Sequence, residues 1–330
     1  MVGTSPLLLL EAIVRARSGE RVTVVDDGPA LGGAWRSIVG FGELPDVDGA
    51  CHVLEHYRGF VSTFAGELGV PLVPMRPPPQ LVDGEGRTFA YGCRRLVLRK
   101  LARLALRLPL VALVRLCEAA LGGRVRLGRT RRFGLRRALG ELRRLLRHPL
   151  SDAPQHVMVA GGAPGFVRWA LAELALRGAA VERRRVVALR CRDREAVELT
   201  FADGERWRPN LVVLSESTVV DEVEVDGVRA RPARVEVPHP HVLLELDDEP
   251  EPRCSYVHLP FDAQLVRVAD VGDACFAGRG LAPHRRLLLV ELRPPNGCEP
   301  GALLPRLREL GLVSNGARLR RWSRHDLPTA

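Results

Sequence analysis

At 330 residues, with 46% hydrophobic residues and a mean hydropathy of −0.01, the chain can bury a sizeable core, which excludes a disordered tail and a small stapled module. Its net charge of +10 rests on 48 arginines and a single lysine, Lys100. Together with abundant Ala, Gly, Pro, Leu and Val this marks a GC-rich coding bias, so the charge is no evidence for a nucleic-acid partner.

Residues 1–45 read as loop, helix, strand and loop. Leu7, Leu8, Leu10, Ile13 and Val14 give one apolar helix face, Gly19 ends the helix, and VTVV is a short buried strand. LLLL at 7–10 runs straight into polar EAIVRARSGE and does not read as a signal peptide. The pattern is half of a βαβ unit whose first strand has only Met1 and Val2 ahead of Gly3. The expectation is therefore a natural start upstream of Met1, with a short apolar strand.

Residues 53–70 have helical spacing up to Gly69, and the stretch after it reads as extended segments broken by prolines and a DGEG turn. From Arg94 to Pro149 runs an arginine-studded helical region, kinked or split at Pro109. Its most apolar stretch, LALRLPLVALVRLCEAAL, is interrupted by Arg107 and Arg115 and falls short of a membrane span. HVMVAGG then opens a helix, followed by a strand, a hairpin about Asp203-Gly204 and a buried strand LVVL. HVLLEL, CSYVHLP, LVRVADV and RLLLVEL are strands, and the last thirty residues read as the helix PGALLPRLRELG and a short tail. The seven cysteines form no C-x-x-C pair and no cluster of zinc spacing, which fits scattered thiols of a cytoplasmic protein and no metal site.

A glycine turn between a strand and a helix lets backbone N–H groups and the helix dipole meet a pyrophosphate. An acid at the end of the second strand then binds a ribose hydroxyl. Here the G-x-G-x-x-G slots hold Gly3, Ser5 and Leu8, and Asp26 closes VTVVD at the spacing the ribose contact needs. By itself this reads equally as a nucleotide site or as an ordinary helix–strand turn.

Further along come ALGGAWRS with Gly32 and Gly33, VDGACHVL, FAGELGV, Gly161-Gly162, Val186 with Leu189, Asp203-Gly204 and LVVLSES. In that order the chain resembles the FAD-dependent superfamily of amine oxidases, protoporphyrinogen oxidases, phytoene desaturases and UDP-galactopyranose mutases. The resemblance spans about 1–220, with a last echo in YVHLPFDAQLVRVADV. It implies an α/β fold: a Rossmann-like FAD/NAD(P)-binding lobe from 1–52 and 155–220, and an α+β substrate lobe from 53–154 and 221–300. The arginine-rich helical insert at 94–147 caps the second lobe, and 301–330 supply the C-terminal helix and tail.

The resemblance further implies FAD, with NAD(P) as the alternative cofactor, held by Gly3, Ser5, Asp26, Gly32, Gly33, Trp35 and Arg36, with the backbone of Val186 facing the adenine. His52 and Arg267 are the candidate catalytic or substrate-side residues. The implied activity is hydride or electron-pair transfer between a small-molecule substrate, hydrophobic or glycosyl, and the flavin. A mutase-like isomerase and a non-catalytic binding or scaffold descendant are the alternatives. Segment 94–147 offers peripheral membrane contact; with Phe133 its only aromatic after Tyr91, it does not read as a nucleic-acid site. Ser5 and Leu8 stand where the family has glycines, Lys100 is the only lysine and lies in the arginine-rich helices, and the flavin-contacting C-terminal segment is missing.

Overall fold

The computed structural model describes residues 1–28, 30–35, 37–44, 46–49, 54–55, 67–75, 79–82, 86–90, 156–193, 195–214, 220–230, 238–248, 255–272, 284–293 and 300–328. Residues 94–147, which the sequence reads as an arginine-rich helical insert, Arg36 and His52 lie outside the described residues. In chain order the elements that position the site are helix α1 (Pro6–Arg17), strand β1 (Thr23–Val25), strand β2 (His156–Val159), helix α2 (Gly162–Leu176) and strand β3 (Ala180–Glu182). Strands β4 (Val186–Arg192), β5 (Glu195–Phe201), β6 (Pro238–Asp247), β7 (Tyr256–His258), β8 (Leu265–Asp270) and β9 (Arg285–Leu292) follow, then helix α3 (Pro300–Glu309) and strand β10 (Arg318–Pro328). The chain is mixed α/β.

β1 and β3 pair in parallel, Val24 opposite Val181. On the other side of β1, Val2 bridges Val25 and also Leu214, both in parallel. Four bonds set this arrangement: Val2 N–H to the Val213 carbonyl at 2.9 Å, Val25 N–H to the Met1 carbonyl at 2.9 Å, Gly3 N–H to the Val25 carbonyl at 2.8 Å, and the Met1 ammonium to the Thr23 carbonyl at 2.9 Å. The three residues Met1–Gly3 thus take the central strand position, which the sequence leaves nearly empty. One expectation is corrected here: LVVL is not a buried strand, since Leu211 is 53% and Leu214 40% exposed and only a bridge forms at Leu214. Its neighbour is too short to cover it.

Both helices lie on one core. Leu9, Ala12 and Ile13 of α1 and Phe166, Ala170 and Leu174 of α2 are buried together with Val22 and Val24. The spacing of three and four residues along each helix turns these side chains to a common side. Arg17 locks the pair by donating to Glu173 Oε2 at 2.8 Å and to the Leu68 carbonyl at 2.9 Å.

A second sheet holds Arg206–Trp207, β5, β4, Glu222–Val225 and Val228–Ala230, built around the predicted turn at Asp203-Gly204. The largest sheet has seven strands in the order β10, β6, β9, β8, β7, Gln80–Val82 and Thr88–Ala90. One face is apolar and covered by α3, through Leu303 and Leu307 against Leu244, Leu288 and Val290. The opposite face brings Leu243, Leu287, Leu289 and Ala269 against Ile38, Phe41, Val47, Met75 and Met158. A second correction concerns the chain's end. Arg318–Pro328 is not a tail but an eleven-residue edge strand paired along β6. Its run of charges hid it, and charges are what an edge strand tolerates.

Candidate functional site

Gly3, Ser5, Asp26, Gly32 and Gly33 come together where the parallel strands end and α1 begins. Ser5 is the residue before α1, Pro6 opens the helix, no acid occupies the first turn, and the Ser5 side chain does not cap it. The positive helix end is therefore left to other anions, as a pyrophosphate site requires.

One residue that the motif leaves unspecified ties these parts together. The Thr4 hydroxyl donates to Asp26 Oδ2, and it accepts the Gly32 N–H at 2.8 Å. Asp26 Oδ1 accepts the Gly28 N–H at 2.6 Å. Thr4 is 1% exposed, and its hydroxyl joins the turn before α1 to Asp26 and to Gly32. Nothing in the sequence marks it, because any small residue satisfies the middle slot of G-x-G.

Gly32 is required on geometric grounds. Its φ is +115°, and a Cβ there would stand 2.8 Å from the Trp35 carbonyl and 2.9 Å from Val167 Cγ2. Gly33 opens the short 3-10 turn that ends at Trp35. Trp35 is half-buried and meets the Phe166 ring edge-on, centroids 5.0 Å apart. Val186 begins β4, with its side chain in an apolar cluster beside Val2, Val25 and Phe201.

Asp48, in the VDGACH stretch, is a second residue the sequence reading missed. It is 1% exposed, and its Oδ2 accepts the Ala163 N–H at 2.9 Å, capping the start of α2 from 115 residues away. Gly162, at φ +62°, makes room for it, since a Cβ there would be 2.7 Å from Asp48 Oδ2. The VDGACHVL stretch and the Gly161-Gly162 pair were each legible; their contact was not.

Arg267 is not beside these residues but on β8, where it pairs through Nε with Glu291 Oε2 of β9. His241 Nε2 lies 3.9 Å from the same oxygen, and His241 and Glu291 are both buried. The signal for Glu291 was its place in RLLLVEL, where every residue from Arg286 to Leu292 is buried.

A cavity of about 990 Å³ runs beside the parallel strands, lined by Met1, Arg21–Thr23, Val25, Glu182 and Asn210–Val213 among others. Among the described residues no group of three or more metal-binding side chains forms, and no helix is long and apolar enough to cross a membrane.

No family model and no curated protein matches the sequence. Solved structures do. The chain is similar to an oxidoreductase from Methanosarcina mazei, with TM-score 0.59 and 13% identity over 98% of this chain and 87% of that one. It is similar to reduced UDP-galactopyranose mutase, with TM-score 0.60 and 12% identity over 98% and 80% of the two chains. A double mutant of putrescine oxidase redesigned in its cofactor binding gives TM-score 0.54 and 12% identity over 98% and 83%. The fold of this chain is thus the one that these oxidoreductase, mutase and putrescine oxidase structures share.

Proposed function

We propose that the chain is an FAD-dependent oxidoreductase acting on a small organic substrate, with a Rossmann-like lobe built on Met1–Gly3, β1, β3, α1 and α2. The observation that carries this reading is the Thr4 bridge. It holds Asp26 and Gly32 in one frame at the positive end of α1, although only the first glycine of the phosphate motif is kept. The residues fit the group: the uncapped helix start suits a diphosphate, and Asp26 is a carboxylate held by two donors at the end of β1. A carboxylate has about four acceptor sites, so two donors leave capacity for a ribose hydroxyl. Asp27 beside it disfavours a 2′-phosphate, which sets FAD and NAD above NADP.

When bound, a flavin supplies the redox chemistry and the protein supplies position, electrostatics and dryness. Trp35 and Gly33 would border it, and Ser5 would offer its backbone N–H to the diphosphate. The test is flavin content. The purified chain, alone and after incubation with excess FAD, is desalted and its absorbance and FAD:protein ratio are measured, with Asp26→Ala beside it. A ratio near one that falls in Asp26→Ala supports the reading. A colourless chain that cannot be reconstituted overturns it in favour of a non-catalytic descendant, and retention of NAD alone would replace the cofactor.

A further inference from the structure

The parallel register around Met1–Gly3 runs on into the cavity of about 990 Å³. Three bonds define it: the Met1 ammonium donates to the Thr23 carbonyl, the Val25 N–H to the Met1 carbonyl, and the Val2 N–H to the Val213 carbonyl. The even residues of β1 face β3 instead, as the bonds from Ala180 N–H to the Val22 carbonyl and from Asp26 N–H to the Glu182 carbonyl show. In a parallel ladder the groups on a flanking strand recur every second residue. Run backwards from Met1, the register therefore brings the Leu211 carbonyl and Val213 N–H to the first position. The Arg21 carbonyl and Thr23 N–H meet the second.

Among the described residues these four backbone groups have no hydrogen-bond partner, and the Met1 ammonium spends one of its three N–H donors, on Thr23. The walls are apolar: Val25 and Leu199 are buried, and Leu211, beside the line, is 53% exposed. Unpaired strand edges next to exposed apolar side chains are what an added strand pairs with and covers. The charges favour a negative end to that strand. Arg21, Arg206 and Arg208 line the cavity with the Met1 ammonium, and Arg206 and Arg208 share one acid, Glu198, at 3.6 and 3.5 Å. The acids in the lining are already engaged, Glu20 with Arg15 at 2.9 Å and Glu182 with Arg184 at 3.8 Å.

We propose that this cavity binds the C-terminal end of an extended partner peptide, added parallel to β1 between Thr23 and Leu211, with its α-carboxylate at the Met1 ammonium. The last residue of the peptide takes the second position, where its N–H donates to the Arg21 carbonyl and one carboxylate oxygen accepts the Thr23 N–H. The other oxygen enters the first position, toward the Met1 ammonium and the Val213 N–H. Charge-assisted hydrogen bonds are about twice as strong as neutral ones, which makes the free carboxylate the recognition element. An antiparallel peptide would bring its N-terminal end to the Met1 ammonium and lose that pairing. The side chains are apolar on both faces, since Met1 packs on the α1–α2 core and Val2 on Val25 and Val186. The site does not rest on the flavoenzyme reading.

The experiment is calorimetric titration of the full chain with acetyl-Val-Ile-Val bearing a free carboxylate, at low ionic strength and about pH 6, below the ordinary range of an α-amino group. Saturable binding of one peptide per chain is expected. The carboxamide form of the same peptide should bind at least tenfold more weakly. So should acetyl-Val-Ile-Pro, whose last residue has no N–H for the Arg21 carbonyl. These comparisons leave the protein unchanged, so a folding defect cannot imitate them. A chain with Val-Ile-Val fused ahead of Met1, behind an initiator methionine, fills the line itself and should melt cooperatively yet take up no peptide. Four results each overturn the proposal: no saturable binding by the parent chain, equal affinity for acid and carboxamide, equal affinity for acetyl-Val-Ile-Pro, or undiminished binding by the fused chain.

Discussion

The hydroxyl of Thr4 donates to the carboxylate of Asp26 across the gap between the turn before α1 and the end of β1, and it accepts the N–H of Gly32 at 2.8 Å. Thr4→Val keeps the shape and removes both bonds, leaving a carboxylate oxygen and an amide without this partner at roughly 1–3 kcal/mol each. FAD affinity, followed by quenching of flavin fluorescence, is expected to fall about tenfold, since about 1.4 kcal/mol is one decade. Thr4→Ser keeps the hydroxyl and should restore most of it. Equal affinity in the parent and Thr4→Val chains would remove Thr4 from the cofactor frame. In the ligand-free chain, hydrogen exchange at the Gly32 amide should rise in Thr4→Val and stay slow in Thr4→Ser.

Asp48 caps α2 with a bond from a segment distant in sequence. Loss of a helix cap costs about 0.5–2 kcal/mol, and the charge–dipole contribution of a buried acid adds to it. Asp48→Ala is therefore expected to lower the melting temperature by several degrees, with Asp48→Asn intermediate because an amide oxygen still accepts. A thermal melt with all three chains superimposed would show Asp48 to be dispensable.

Of the fold, the elements with strong periodicity were legible: α1, VTVV, the helix after Gly161-Gly162, and the strands HVLLEL, LVRVADV and RLLLVEL all stand where their patterns put them. Strand β10 was not, because RLRRWSRHDLP lacks the alternation of a half-buried strand and is held as an edge along β6. Of the candidate site, Gly3, Asp26 and Gly32 were readable because turn chemistry and spacing are local. Thr4, Asp48 and Glu291 were not, since each acts through a partner 22 or more residues away that only the fold brings near. Arg267 was singled out as a cation, yet its pairing with Glu291 depends on strand register, which no single segment displays.

Arg286 is buried between two acids, Asp248 at 2.8 Å and Asp270 at 2.9 Å, and Asp248 also accepts from the Ser314 N–H at 3.1 Å. Burial pushes the Asp248 carboxyl up, but the Ser314 bonds and the Arg286 pair outweigh it and hold it below its ordinary value of 3.8. A depressed carboxylate contributes stability that is complete above the unfolded value and lost as pH falls through the lower folded one. Urea denaturation from pH 7 to 2 is thus expected to show a loss below about pH 4 that is smaller in Asp248→Asn. Asp248→Asn should itself cost roughly 3–5 kcal/mol at neutral pH, because it leaves Arg286 without one of its counter-charges. An unchanged acid limb in Asp248→Asn would assign that limb to other groups.

The cavity of about 990 Å³ below Met1 continues the line of the central strand, between Arg21–Thr23 on one side and Asn210–Val212 on the other. Val2 is already paired to both neighbours, so residues joined ahead of Met1 would run on in the same parallel register. The Met1 ammonium now occupies the head of that slot, and burial lowers its pKa from 8.0. An amine whose folded pKa is lowered makes the unfolded state the better proton binder, so stability rises with pH up to about 8 through this group. A Val-Ile-Val tripeptide placed ahead of Met1, behind an initiator methionine, replaces the buried charge with a peptide bond. It also adds ladder hydrogen bonds at about 0.5–1.5 kcal/mol each and covers Leu211, which is now half exposed. The extended chain is expected to melt at least about 5 °C higher, on the scale of a few degrees per kcal/mol for chains of this size, and to lose the pH dependence between about 7 and 8. A Pro-Asp-Pro extension, which cannot donate to the ladder at two of three positions, should give no rise. Identical melting of the two extended chains would show that the slot does not accept a strand.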